Sequence, residues 1–296
     1  MKEMRISVYL LTFILLALCT SCEKEEDAGY SFFVAGHVYG AHGEAEINEG
    51  VHPPFKEKLD LIKNDPSIAF GVLTGDMVYD GSLKEWEELD ADIAYMGKTV
   101  YFAPGNHDIG NTKKRKTFTE RYGPSYRSFM HNNDLFIVLD TNLEPADVSK
   151  NQLKWLKGEI ADKADSSRNI FVFFHHILWW QKDNRYRDSP LNSTKGRDKE
   201  NNFFTEIYPM FQSLENEVFL FAGDTGAYER GIMYDKTDNV RLIASGMGGR
   251  KEDNFVIVDI ADTGVVSFEL IALNGPSIDG MGKLEDHSLT DSGPAN

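Results

Sequence analysis

The chain has 296 residues, with 47 acidic against 31 basic side chains and a formal net charge of −16. So acidic a surface repels nucleic-acid backbones and argues against DNA or RNA as a partner. Its 2 cysteines, Cys19 and Cys22, both lie near the N-terminus. The rest of the chain therefore has neither a disulfide nor a thiolate, and any metal it binds must be held by oxygen and nitrogen.

Lys2 and Arg5 precede an apolar run from Val8 to Leu18. The run is too short to cross a bilayer comfortably and fits the core of a signal peptide. It ends at Cys19-Thr20-Ser21-Cys22, where small residues before a cysteine resemble a bacterial lipoprotein cleavage site. Residues 1–21 are expected to be the signal, Cys22 the lipidated first residue, and residues 22–29, with Glu23-Lys24-Glu25-Glu26-Asp27, an acidic tether. In some bacterial lipoproteins such a tether marks export, so the expected location is the outer membrane or cell surface. An ordinary cleaved signal or an uncleaved anchor is the alternative.

Residues 30–273 are expected to form one domain, about 240 residues being within the range of a single α/β unit. Ser31–Ala35 reads as a strand, Phe55–Lys63 as a helix and Ile68–Leu73 as a strand ending at Thr74-Gly75-Asp76. Leu83–Tyr95 reads as a helix, and Thr99–Ala103 as a strand entering Pro104-Gly105-Asn106-His107-Asp108. Lys113–Tyr122 is a basic helix, Leu135–Leu139 a strand, and Asn151–Asp165 an amphipathic helix with Leu153, Leu156 and Ile160 on one face. Asn169–Phe174 is a strand delivering His175, Phe203–Leu214 is helical, and Val218–Ala222 delivers Gly223-Asp224. Val240–Ala244, Phe255–Ile260 and Val265–Ala272 follow as strands without long helices between them. The alternation predicts a layered α/β domain with helices outside, and the late run of strands adds antiparallel members or a second sheet. The polar segment Gln181–Asn202 is long for a plain loop, and residues 274–296 read as a flexible tail.

Every residue able to do chemistry sits directly after a strand, where layered α/β proteins bind ligands. Asp76 follows a glycine that permits a sharp turn; alone it reads equally as a turn aspartate. Asn106 offers a neutral metal-ligating oxygen, His107 a proton donor or phosphate contact, and Asp108 a group to fix the tautomer of His107. The same three residues also favour plain turns. Of His175 and His176, strand alternation sends one into a given site and the other away. Trp179, Trp180, Arg185, Arg187, Lys195 and Arg197 could form a substrate lid, or a core tryptophan followed by a solvated loop.

Gly75-Asp76, Gly105-Asn106-His107-Asp108 and His175 after an apolar strand resemble, in order and spacing, the calcineurin-like metallophosphoesterase superfamily. Tyr79 and the stretch Ala227-Tyr228-Glu229-Arg230 resemble its purple acid phosphatase branch. The resemblance implies a metallophosphoesterase-like β-sandwich flanked by α-helices. It implies that Asp76 bridges two metals, and that Asn106, His175 and the first histidine of a later Gly-His-x-His hold the second. Here that histidine is Asp224, a harder but competent ligand. The first-metal pocket departs further: Ala35 stands for an aspartate and Gly226 for a histidine, leaving His37, Asp76 and, as a phenolate, Tyr79. His42, Glu44 and Glu46 lie nearby in sequence as compensating donors. The expected protein is a metal-dependent phosphoester hydrolase with about one divalent ion (Mn, Fe, Zn or Mg) per chain. Its substrate would be a phosphorylated small molecule or glycan, with His107, Asp108 and His37 assisting catalysis. A surface-exposed binding module with a degenerate cleft is the alternative.

Overall fold

The computed structural model describes residues 29–40, 49–148, 150–194, 197, 200–228, 230–274 and 281–288. Residues 1–28, with the signal, Cys22 and nearly all of the tether, lie outside the described residues. So do His42, Glu44, Glu46, Lys195 and Glu229.

Two sheets pack face to face. The first runs in the order β11-β10-β1-β2-β3, built from β1 (Tyr30–Ala35), β2 (Ile68–Leu73), β3 (Thr99–Phe102), β10 (Asn254–Ile260) and β11 (Val266–Ala272). Strands β1, β2 and β3 are parallel, while β10 and β11 extend the sheet antiparallel from β1. The second runs β4-β5-β6-β7-β9-β8, from β4 (Arg127–His131), β5 (Asp134–Val138), β6 (Asn169–Phe174), β7 (Glu217–Ala222), β8 (Ile232–Thr237) and β9 (Val240–Ser245). Its four inner strands are parallel and its two edges antiparallel.

The strands are apolar on both faces because both faces are covered. Phe32, Phe70, Phe136, Phe171, Phe173, Phe219 and Phe221 point between the sheets and form the central core. Phe136 stacks on Phe171 at 5.0 Å, Phe171 on Phe219 at 4.9 Å, and Phe32 meets Phe171 edge-on at 5.1 Å. Each buried phenyl contributes roughly 1.5–3 kcal/mol. The alternate residues of the same strands, Ile170, Val172 and Phe174, face outward into a second core under α6 (Lys150–Lys163) and α7 (Tyr208–Gln212). On the other flank, Phe33, Ala35 and Leu73 pack beneath α1 (Pro53–Lys56), α2 (Leu59–Asn64), α3 (Leu83–Met96), α4 (Asn106–Ile109) and α5 (Thr112–Tyr122). Helix α3 is fixed at both ends: Ser82 and Glu85 form a capping box, and Gly97 closes it at φ +65.

Several elements differ from the sequence expectation. The helix expected over Phe55–Lys63 is broken at Glu57–Lys58 into α1 and α2, and nothing in those residues explains the break. The helix expected over Phe203–Leu214 opens as a π turn, Phe203–Ile207. Pro209 has no N–H to offer Thr205, and the backbone before it widens. Residues 281–288, expected in the flexible tail, instead dock on the second sheet. Leu284 is buried, Met281 lies against the central core, and Ser288 bridges Tyr234. These apolar side chains close one end of the space between the sheets. Among the described residues no helix is long and apolar enough to cross a membrane.

Candidate active site

The C-terminal ends of the parallel strands of both sheets meet along one rim. The chain leaving β1 carries His37, that leaving β2 Asp76, β3 Asn106, β6 His175 and β7 Asp224. Close backbone approach is what allows the meeting: a Cβ on Gly105 would lie 2.2 Å from Asp76 Oδ1, and one on Gly75 2.4 Å from His175 Nδ1. His37 and Asp76 themselves adopt left-handed backbone, φ 53 and φ 52. That conformation costs a non-glycine residue about 1–3 kcal/mol and collects at functional sites.

His175 is fully buried, and its two nitrogens have different tasks. Nδ1 lies 3.1 Å from the Thr74 carbonyl and donates to it. That leaves the Nε2 lone pair facing Asn106 Oδ1 at 3.1 Å, Asp76 Oδ1 at 3.4 Å and Asp224 Oδ1 at 3.9 Å. Four electron-rich atoms converging without a donor among them are relieved by a proton on Nε2 or by a cation. This donor set, two carboxylates, an amide and an imidazole, fits a divalent metal. Burial disfavours the imidazolium, but Asp76 and Asp224 outweigh it and the His175 pKa is raised. Burial would likewise raise Asp76, yet His175, His37 and His107 together hold it below the usual carboxylate range.

His176 joins the group against expectation. His175, His176 and Asp224 each offer a ligand atom within 4.8 Å of the others. Strand alternation does not separate the two histidines because β6 ends at Phe174, before either of them. His176 Nδ1 lies 2.8 Å from Thr141 Oγ1, and burial with the neighbouring His175 and Arg197 charges lowers its pKa well below the ordinary value.

The first-metal position is poorly furnished. His37 Nδ1 donates to the Met247 carbonyl at 2.7 Å, so Nε2 faces Asp76 Oδ2, 3.8 Å away. Burial lowers the His37 pKa to about 4. Ala35 has no donor. At Gly226 a Cβ would lie 2.7 Å from the Met247 nitrogen, and the backbone sits at φ +95; no histidine fits there. Tyr79 does not line the cavity beside Asp76. Its ring stacks on His107 at 5.5 Å, and its carbonyl accepts from His107 Nδ1 at 2.6 Å. Tyr39, two residues after His37, and Tyr228 are the tyrosines in the cavity wall.

Asp108 also differs from expectation. Its carboxylate accepts the backbone N–H groups of Met77, Val78 and Gly105, at 2.8, 3.2 and 2.7 Å. It ties the β2 and β3 loops together, and the Tyr79 carbonyl takes the expected part of fixing the His107 tautomer. Burial and the nearby Asp76 charge push Asp108 up to about 7.

The cleft has two lobes sharing Asn106, Ser193 and Asp224. One, of about 470 Å³, is lined by His37, Tyr39, Asp76, His107, Tyr228 and Arg250 among others. The other, of about 660 Å³, runs past His176, Asn111, Arg115, Asn142 and Leu143. The expected lid is not built from the tryptophans: Trp179 is core, and Trp180 packs against that core with its Nε1 on the Arg187 carbonyl. Arg185 turns away to Asp235. Among the described basic residues of this segment, Arg197 turns inward, to Asp224. Tyr39 and Arg250 carry no motif in the sequence; contacts across the fold bring them to the cleft.

A calcineurin-like phosphoesterase family model matches residues 37–206, more than half of the chain, and the chain belongs to that family. It is similar to the serine/threonine-protein phosphatase CPPED1 of Homo sapiens, 28% identical over 130 residues that cover 39% of this chain and 41% of that protein. The match thus spans less than half the length of this curated relative. In fold it is similar to a dimetal phosphatase from Danio rerio (13% identity, TM-score 0.56, covering 83% of this chain and 96% of that one). It is also similar to the purple acid phosphatase PPD1 from yellow lupin (Lupinus luteus) seeds, at 13% identity and TM-score 0.60, over 83% of this chain and 52% of that one.

Proposed function

We propose that this family member is a metal-dependent phosphoester hydrolase of the bacterial cell envelope that holds one divalent ion. The observation that supports it best is the convergence of Asp76, Asn106 and Asp224 oxygens on His175 Nε2, within 3.9 Å, at the floor of the cleft. A divalent ion there would place positive charge on phosphoryl oxygens and lower the pKa of a water it holds. The protein's own side chains do the rest. The Tyr79 carbonyl holds the Nδ1–H of His107; protonated on both nitrogens, the ring gives its Nε2 proton to the leaving oxygen and becomes neutral. Tyr39 flanks that imidazole at 5.1 Å. Arg250, tethered through Nε to the Ala227 carbonyl at 3.2 Å, offers its terminal nitrogens to the phosphoryl group beside the depleted first pocket. The larger lobe takes the rest of a phosphorylated small molecule or glycan.

The test uses purified protein loaded with Mn²⁺, with metal counted by mass spectrometry and hydrolysis of p-nitrophenyl phosphate and its diester followed. Turnover that Asp76→Ala abolishes is expected; failure to take up any divalent ion sinks the reading. Loss of donors from the first pocket favours a second reading, a binding module without turnover, and metal uptake with neither ester cleaved would select it. The envelope location rests on Cys22 being lipidated and anchoring the chain, since several acyl chains are needed for stable attachment. Fatty-acid labelling should mark the wild type and spare Cys22→Ala; equal labelling of the two defeats it.

A further inference from the structure

The segment after His175 is clasped onto the turn that carries Asp224, Thr225 and Gly226. The Asn192 backbone N–H donates to the Asp224 carbonyl at 3.1 Å, and its side chain donates to the Thr225 carbonyl at 3.2 Å and accepts from the Ala227 N–H at 2.7 Å. Thr225 Oγ1 donates to the Pro190 carbonyl at 2.6 Å. This clasp delivers Arg197. Its Nη2 donates to Asp224 Oδ2 at 2.6 Å and its Nη1 to the Ile177 carbonyl at 2.9 Å. Both side chains of the pair are only 4% exposed. Asp224 therefore presents Oδ1 toward His175 while Oδ2 belongs to a guanidinium on its far side.

We infer that Arg197 is a resident counter-ion of the metal site, restoring the charge that the exchange of histidine for Asp224 would otherwise have changed. A neutral histidine adds no charge to a donor set. An aspartate adds one negative charge, and the buried guanidinium removes it again. With Arg197 in place, Asp76 supplies the single uncompensated carboxylate facing the ion. Without it, the ion would meet two, Asp224 could turn both oxygens inward, and the repulsion between guanidinium and divalent cation would vanish. Such charges act strongly across a few ångströms where water is excluded. Arg197 is thus a positioning residue that holds metal affinity down, and the long segment Gln181–Asn202 is the device that inserts it. The inference rests on the metal-binding reading proposed above.

Mn²⁺ affinity is measured by titration calorimetry on the EDTA-stripped full chain, with melting temperature followed with and without metal. Arg197→Gln, which keeps a hydrogen-bonding side chain but no charge, should bind Mn²⁺ about tenfold more tightly or better, the scale on which groups behind metal ligands act. Its metal-free melting temperature should fall and its gain on adding Mn²⁺ should grow. Arg197→Lys, which keeps the charge, should bind like the wild type. If Arg197→Gln does not fold, Arg197→Met carries the same expectation. Wild type that binds Mn²⁺ alongside a neutral variant of equal or weaker affinity overturns the inference and spares the metal-site reading. Absence of binding in both overturns both. Binding in the neutral variant alone supports the inference.

Discussion

His107 has one nitrogen committed and one available. With Nδ1 on the Tyr79 carbonyl and its backbone N–H on Asp76 Oδ1 at 3.0 Å, the ring has a fixed tautomer and place. His107→Gln should lower kcat by about 10²–10⁴, the usual worth of a general acid, and leave metal content, read by mass spectrometry, unchanged. Activity near wild type would remove His107 from the mechanism. His37 makes a different prediction. Its folded pKa, lowered by burial to about 4, lies beneath the ordinary value of 6.5. Between pH 6.5 and 4 the unfolded chain takes up a proton that the folded chain refuses, so this contribution to stability is present above pH 6.5 and lost as pH falls through that window. Its ceiling is about 3 kcal/mol. His175 and Asp108, both raised, slope the opposite way, so the His37 share must be read as a difference. In metal-free urea unfolding at pH 7 and pH 5, His37→Gln should lose less stability than wild type; equal losses would refute the assignment. Asp76, Asn106, His107, His175 and Asp224 were legible as single residues because each lies just beyond a strand. The partners of His107 and Asp224 were not. Tyr79 acts through its carbonyl, and Arg197 reaches Asp224 from 27 residues away in the chain.

Elements with strong patterns were readable, and the two edges of the second sheet were not. The buried strands β2, β5, β6 and β7 announce themselves as apolar runs, and their ends locate the cleft. The edge strands β4 and β8 do not: Arg127-Ser128-Phe129-Met130-His131 and the Asp235-Lys236-Thr237 end of β8 are too polar to show a period. The turn after β7 departs from the Gly-His-x-His that the resemblance implies, and the structure gives the reason position 226 accepts no histidine. Gly226 is pressed against Met247 and Gly246 in left-handed backbone. Gly226→Ala should destabilise the protein by about 1–3 kcal/mol, measured by urea midpoint. Gly226→His should disrupt the fold further without raising metal content. A stable Gly226→His protein holding a second ion would show that the first pocket was open to repair.

At the scale of the molecule, two sheets bring seven parallel strand ends to one rim, and their unequal furnishing determines what the rim can hold. On the side of β3, β6 and β7, the oxygens of Asn106 and Asp224, with that of the shared Asp76, converge on His175, and His176 lies close by. On the side of β1, only His37 and the shared Asp76 remain among the described residues, 3.8 Å apart and backed by a backbone too close for a further side chain. A divalent ion with two protein ligands, no carboxylate of its own and a neighbour of like charge should be lost on dilution. Purified protein should therefore retain about one metal per chain after desalting, not the two of a two-metal phosphoesterase mechanism. Asp224→Ala should empty that site, and it also strands the Arg197 guanidinium in a buried position, at about 3–5 kcal/mol for a broken buried pair. Asp224→Ala should thus lose metal and unfold at lower urea together, whereas His37→Gln should keep its metal. Two ions retained per wild-type chain would mean that the first pocket is completed by donors outside the described residues, with His42, Glu44 and Glu46 the first to replace by alanine.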